Sequence, residues 1–454
     1  MMNVNNRQRP WLEHQAQFHP ERSALISGDR SYTFSELFSQ ARLIAGELNR
    51  RRVSAGDYVG VISPNSPEQF LLFHALLLLG AVIVPINHKL TGTEIESMIR
   101  KIDLQVVISA GELELSSAIH PAVLSIDSLF KQPLRSEPLQ PAQISSEEIC
   151  AIFFTSGTTG DPKPVPLTHD NFFYSAMGSA LNIGVTSRDN WLLCLPMDHM
   201  GGFSIFMRSL VYGTSVTLLP SFSPKSVLQQ FDDSSITHIS LVPTMLNRLL
   251  KHAFSVPASL RAILLGGGPA EIDLVSEALE RGLPLLRTYG LTEACSQVTT
   301  TPLDEVEVKT GSSGKPLAFV DVRIADEDGS PKPTGETGEI FIRGNTITPG
   351  YLDNQHENDE KFVDGWFRTG DYGYMDHEGF LFTLSRKDDV IISGGEKILP
   401  GEVESALLNN SHIEDVCVFG VPDSEWGEKI VAAIVLHESA AEFHPEDIAE
   451  SAEL

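Results

Sequence analysis

Over the first 300 residues, short runs of β-branched and apolar residues alternate with stretches of helical period. Tyr58–Ile62, Val106–Ile108, Ile149–Thr155 and Ala262–Leu265 read as strands. Pro67–Leu79 reads as a helix, with Ser66 placed to cap it and Pro67 at the first helical position. This alternation predicts an α/β fold, a mostly parallel sheet covered by helices. The run from Phe70 to Ile86 is apolar apart from His74. Gly80 and Pro85 divide it into a helix and a Val/Ile strand, and the helical part is too short to cross a bilayer. A buried core element is therefore expected, with no membrane span and with His74 at the core edge, its ring satisfied.

From about Gly311 the pattern changes. Val320–Ala325, Gly338–Arg343 and Phe380–Ser385 are strand-like and are separated by turn signals such as Asp328-Gly329 and Glu378-Gly379. That predicts an antiparallel β subdomain over 311–385, closing a large domain of 1–385. The charged stretch 386–389 reads as a hinge, followed by a small α+β domain over 390–454. The last polar stretch, Pro445–Leu454, has helical composition but no terminator, so the small domain reads as incomplete.

Length and charge narrow the function. The 454 residues exceed what one core accommodates. With 33 basic and 60 acidic side chains the net charge is -27, which repels nucleic acid and anionic lipid but leaves room for a built phosphate site. Cys150, Cys194, Cys295 and Cys417 are far apart, without metal-site spacing, and read as reduced thiols. The opening segment lacks the apolar run of a secretory signal, so a cytoplasmic location is expected. No oligomeric state is legible.

The densest chemical signal is Thr155-Ser156-Gly157-Thr158-Thr159-Gly160-Asp161-Pro162-Lys163, which follows the apolar strand Ile152–Phe154. Glycines let backbone N–H groups turn toward an anion, and hydroxyls and Lys163 add donors, so the loop can wrap the phosphates of a nucleotide. It does not fit the GxxxxGK[ST] pattern.

The segment TSGTTGDPKPVPLTH resembles the phosphate-loop signature of adenylate-forming enzymes, the superfamily of acyl-CoA synthetases, luciferases and adenylation domains. It departs at Pro164, where that signature has glycine. Further segments follow in the family's order. Tyr289-Gly290-Leu291-Thr292-Glu293 resembles YGxTE; by itself it also reads as a helix start capped by Thr292. Thr369-Gly370-Asp371 resembles TGD, otherwise a turn, and Ser385-Arg386-Lys387-Asp388-Asp389 resembles GRxDD. Gly266-Gly267-Gly268-Pro269 matches the adenine-side loop and also reads as a strand-to-helix turn. Gly394-Gly395-Glu396-Lys397 matches a segment lining the pantetheine tunnel and also reads as an ordinary glycine turn.

The resemblance implies ATP, Mg²⁺ and coenzyme A acting with a small carboxylic acid. Nucleotide binding is implied for Thr155, Ser156, Gly157, Thr158, Thr159, Gly160, Lys163, Gly267, Gly268, Pro269, Thr288, Tyr289, Gly290, Thr292, Asp371 and Arg386. Thr158, Lys163, His199 and Glu293 are the implied catalytic residues, with Glu293 and Thr158 at the metal. His199, Gly266, Ser296 and Thr299 are implied at the acyl group, Asp388 as hinge, and Gly394, Gly395 and Lys397 at coenzyme A. A lone histidine such as His199 also reads as structural, and Asp198 either pairs with it or points away.

Stretches such as ALNIGVTSRDNWLLCLP and YGLTEACSQVTT are similar to the o-succinylbenzoate–CoA ligases of menaquinone and phylloquinone biosynthesis. An aryl carboxylate would need polar partners. Ser296 and Thr299 are candidates, as is Arg208, although Arg208 reads more readily as a surface or helix-packing residue. The family also uses a late lysine in a P-x-x-x-x-GK context. Lys397 and Lys429 do not match it and no such segment precedes Leu454. The expectation is nucleotide binding with a slow first step. Another acyl- or aryl-CoA ligase and a nucleotide-binding pseudoenzyme are the alternatives.

Overall fold

The structure is a computed structural model. It describes residues 7–436 except 114, 117–120, 131–136, 157–161, 234, 304, 306–308, 310, 395, 409, 411 and 424–425. The stretch 445–454 lies outside the described residues, as does the loop 157–161.

Parallel strands need long crossovers, and the chain supplies helices for them. A six-stranded sheet runs in the order Pro162–Thr168, Ile149–Ser156, Val82–Ile86, Tyr58–Ile62, Val106–Ser109, Ala122–Ser125. All its pairings are parallel except that between Pro162–Thr168 and Ile149–Ser156. A nine-stranded sheet has a parallel centre, with Asn190–Leu193, His238–Leu241 and Ala262–Leu265 side by side. It becomes antiparallel toward both edges, at Leu285–Leu291 with Ser296–Thr300 and at Ser23–Ser27 with Arg30–Thr33.

Helix α1, Pro67–Leu79, buries every residue but Glu68, which explains the absence of polar periodicity in its sequence. The Ser66 hydroxyl accepts from the Gln69 amide, and Gly80 ends the helix at φ 76°, a left-handed conformation that suits glycine. Two more helices matter for the site, α2 (His169–Ile183) and α3 (Met200–Tyr212). Phe70 and Phe73 of α1 meet Phe206 and Phe203 of α3 at 5.0 and 5.3 Å between ring centres. Aromatic edges at such distances add to simple burial. His74 lies deeper than its expected place at the core edge. It is buried and its Nδ1 has no hydrogen-bond partner, because the helix that carries it is enclosed on all sides. Burial lowers its pKa to about 3.

The chain divides into two compact units, one of residues 1–321 with 343–362 and one of 322–342 with 363–454. The second contains antiparallel pairings of Gly338–Gly344 with Trp366–Met375 and of the latter with Leu381–Arg386. A four-stranded sheet beyond residue 390 packs a small core of Ile391, Leu407, Ile413, Val416 and Val418. Among the described residues no helix is long and apolar enough to cross a membrane.

Candidate active site

Strands Ile149–Ser156 and Pro162–Thr168 form a hairpin in which Lys163 lies opposite Thr155 and Pro162 opposite Ser156. The hydroxyl- and glycine-rich segment is therefore the hairpin's connection. Gly157, Thr158, Thr159 and Gly160 themselves lie outside the described residues. Pro162, Pro164 and Pro166 alternate along an edge strand, which is where missing N–H groups cost no ladder bond. The carbonyls of Pro164 and Pro166 are used: the Leu352 amide donates to the first at 3.1 Å and the Thr348 hydroxyl to the second at 2.6 Å. Pro164 in place of glycine is thus accommodated by the strand geometry.

The segment 348–352 also reaches Glu293. The Thr348 amide donates to the Glu293 carbonyl at 2.7 Å, and the Tyr351 hydroxyl donates to Glu293 Oε1 at 2.8 Å. Lys163 Nζ lies 5.7 Å from the centre of the Tyr351 ring and pairs with Glu357 Oε1 at 2.7 Å. Tyr351 therefore touches both the lysine after the phosphate-type loop and the glutamate of the YGLTE segment. Burial first, and the adjacent Glu293 carboxylate second, push the Tyr351 phenol well above its ordinary pKa, so it remains a donor. Neither Tyr351 nor Glu357 was singled out from sequence. The Pro349-Gly350 turn before a lone aromatic was the one available signal.

Glu293 sits in a single 3₁₀ turn, Thr292–Ala294, so Thr292 caps no α-helix. The chain then reverses through Cys295 at φ 54° and Ser296 at φ 98°. This brings Ser296 opposite Leu291 and Gln297 opposite Gly290. A Cβ on Gly290 would lie 1.8 Å from the Ser296 carbonyl oxygen, so glycine is required there. The Gly266 turn approaches the same strand, where a Cβ would meet Thr288 Cγ2 at 2.7 Å; Gly267 follows at φ 82°.

Arg208 on α3 is enclosed, only 2% exposed, where a surface or helix-packing place was expected. Its Nη2 donates to Gln297 Oε1 at 2.7 Å and lies 3.4 Å from Ser296 Oγ, while its Nε has no partner. Among the described residues it has no carboxylate partner, and burial lowers its pKa. Gln297 in turn donates to the Thr300 hydroxyl at 2.7 Å. The Thr299 hydroxyl is spent on the Ser313 carbonyl at 2.6 Å, so it has a structural partner. His199 is exposed just before α3, and it forms neither a hydrogen bond nor an ion pair with Asp198, whose Oδ2 is buried without a partner.

In the second unit Asp371 and Arg386 are register partners on adjacent strands, with Arg386 Nε 3.8 Å from Asp371 Oδ1. The Asp371 amide donates to the Thr369 hydroxyl across Gly370, which lies at φ 80°. Gly394 packs on Trp426, where a Cβ would come within 2.9 Å of the ring. Lys397 pairs with Ile392 through the backbone. Gly395 and the side chains of Asp388 and Lys397 lie outside the described residues.

Glu293 offers one carboxylate with an oxygen not used by Tyr351. One carboxylate plus substrate phosphates is an ordinary donor set for Mg²⁺. Among the described residues no cluster of three metal-ligating side chains offers an all-protein cage.

Tyr351 thus lies between Lys163, on the second strand of the hairpin, and the Glu293 turn, and the family is that of AMP-binding enzymes. The model of that family matches residues 12–352, and that of the AMP-binding enzyme C-terminal domain matches 402–453; the chain belongs to this family. The 2-succinylbenzoate–CoA ligase of Bacillus subtilis (strain 168) is 38% identical over 428 residues, 94% of this chain and 88% of that protein. Two solved structures of o-succinylbenzoate CoA synthetase (MenE) from Bacillus subtilis are also similar. One, in complex with the acyl-adenylate intermediate OSB-AMP, has a TM-score of 0.89 at 36% identity, covering 99% of this chain and 92% of that one. The other, in complex with ATP and magnesium ion, has a TM-score of 0.86 at 37% identity, covering 95% and 90%.

Proposed function

We propose that this chain is an ATP-dependent carboxylate–CoA ligase that converts 2-succinylbenzoate to its CoA thioester in menaquinone biosynthesis, through an acyl-AMP intermediate. The substrate carboxylate attacks the α-phosphorus of ATP and pyrophosphate leaves; the thiolate of coenzyme A then attacks the acyl carbon and AMP leaves. Glu293 would help hold Mg²⁺, which would supply charge neutralisation for the leaving pyrophosphate. Tyr351 orients the Glu293 carboxylate, and Lys163 brings positive charge to the phosphate connection. Asp371 and Arg386 serve the ribose, and residues 386–389 form the hinge ahead of the small domain. A cytoplasmic location is part of this reading; its support is four free cysteines, three of them buried.

The single observation that carries the substrate assignment is the buried Arg208 guanidinium, which among the described residues has no carboxylate partner and lies beside Ser296 three residues past Glu293. A buried cation without an anion is costly, so such a site favours an acid that brings a second carboxylate. In Arg208→Met, KM for 2-succinylbenzoate is expected to rise about 10- to 100-fold, with KM for ATP unchanged and the melting temperature equal or higher. A drop in melting temperature with an unchanged KM would make Arg208 structural. Supplying synthetic acyl-AMP with coenzyme A separates a ligase from a nucleotide-binding pseudoenzyme, since only the former releases thioester. Benzoate or fatty acids turning over as fast as 2-succinylbenzoate would favour another acyl- or aryl-CoA ligase.

A further inference from the structure

Arg208 is held by side chains that fix it without neutralising it. Its guanidinium carbon lies 5.4 Å from the centre of the Trp191 ring, and Trp191 stacks on His238 with ring centres 4.8 Å apart. An aromatic face attracts a cation but brings no counter-charge. Burial lowers the pKa of His238 to about 4, so that ring is neutral at neutral pH. On the other contacts, Nη2 donates to Gln297 Oε1 at 2.7 Å and lies 3.4 Å from Ser296 Oγ, itself 3.4 Å from Ser204 Oγ. Each of these neighbours is neutral.

Gln297 is the partner whose orientation the fold dictates. It is buried on strand Ser296–Thr300, opposite Gly290. Its Nε2 donates to the Thr300 hydroxyl at 2.7 Å, and that hydroxyl donates to the Thr299 carbonyl at 2.8 Å. With its hydrogen spent there, Thr300 is an acceptor for the amide, so the amide nitrogen faces Thr300 and the amide oxygen faces Arg208. A reversed amide would set two donors against the guanidinium. An amide oxygen satisfies one N–H of Arg208 and leaves the unit charge in place, whereas a carboxylate of the same shape would neutralise it.

We propose that Gln297 is a specificity-determining positioning residue. It fixes the Arg208 guanidinium and, being neutral, leaves the charge for the second carboxylate of the acid, so a dicarboxylic substrate is preferred to a monocarboxylic one. This role rests on Arg208 receiving that carboxylate, as proposed above.

The test is the ratio of kcat/KM for 2-succinylbenzoate to that for 4-oxo-4-phenylbutanoate, the same acid without its aryl carboxylate. Gln297→Glu keeps the shape and supplies an internal carboxylate. The Thr300 hydrogen can turn to it, because the Thr288 hydroxyl also donates to the Thr299 carbonyl, at 2.8 Å. The ratio is expected to fall about 10- to 100-fold, through KM for 2-succinylbenzoate, with KM for ATP unchanged and the melting temperature equal or higher. Gln297→Met stays neutral but accepts no strong hydrogen bond, and should lower the ratio only about threefold. Arg208→Met separates two kinds of failure. If it leaves the ratio unchanged, the reading of Arg208 is overturned and the role of Gln297 with it. If it collapses the ratio while folded Gln297→Glu keeps it, the reading of Arg208 stands and the role of Gln297 is overturned. Equal falls in Gln297→Glu and Gln297→Met also overturn it, since charge would then not be the determinant. If Gln297→Glu does not fold, as judged by its melting curve, Gln297→Met decides, and an unchanged ratio overturns the proposal.

Discussion

The two places that carry charged candidate residues are built in opposite ways. Around Glu293, side chains are enclosed and each has a definite partner: Tyr351 holds the carboxylate, Glu357 holds Lys163, and Gln297 holds Arg208. On the hairpin of the second unit, Asp371 and Arg386 face each other at 3.8 Å with Arg386 71% exposed. An exposed pair at that distance contributes little by itself and is screened by salt, whereas an enclosed one resists both water and rearrangement. The lesson is that side chains around Glu293 are held by enclosed partners, while the contact between Asp371 and Arg386 lies open to solvent and salt.

The most severe challenge to this contrast is Glu293→Gln, which keeps shape and removes charge. Acyl-AMP formation, followed by pyrophosphate exchange, is expected to fall by about two to three orders of magnitude. Retention of half the rate would show that the enclosed carboxylate is not part of the chemistry. Acid should next weaken the unit that carries Glu293. His74 and His169 fold with pKa values of about 3 and 4, below the unfolded 6.5, so the unfolded chain takes up protons first. Their contribution is complete above about pH 6.5 and is lost as the pH falls toward 4. At pH 5 each should withdraw about 2 kcal/mol, visible as a lower denaturant midpoint. A midpoint that stays constant from pH 7 to 5 would contradict their burial.

A smaller effect is expected from Tyr351→Phe. Losing one hydrogen bond to a carboxylate should cost about tenfold in kcat, with folding nearly unchanged. If the rate stays at the wild-type level, the bridge between Lys163 and Glu293 is incidental. Smallest of all is the stability change for Arg386→Gln, expected within about 0.5 kcal/mol, accompanied by weaker nucleotide binding in a titration. A large loss of stability there would mean that the hairpin pair is as built-in as the Glu293 surroundings.

Much of this was legible along the chain, and the exceptions share a cause. Helix Pro67–Leu79 was read with its cap because Ser66, Pro67 and Gly80 act locally. Gly290 was read as part of the YGLTE segment, and the structure adds why no side chain fits beside the Ser296 carbonyl. Arg208 and His74 were misplaced because polar residues usually lie near water, and only the packing around α1 and α3 reverses that. Tyr351 was missed since nothing near position 351 announces a glutamate 58 residues earlier.

By itself the sequence determined the βα order, the antiparallel later strands and the phosphate-type and YGLTE segments, because strand period, caps and tight turns depend on neighbours a few residues apart. Tertiary structure alone decided which distant side chains meet: Tyr351 with Glu293 and Lys163, and Arg208 with Gln297. Those contacts depend on how sheets and helices close on one another, and burial, which sets the worth of each charge, exists only after that closure.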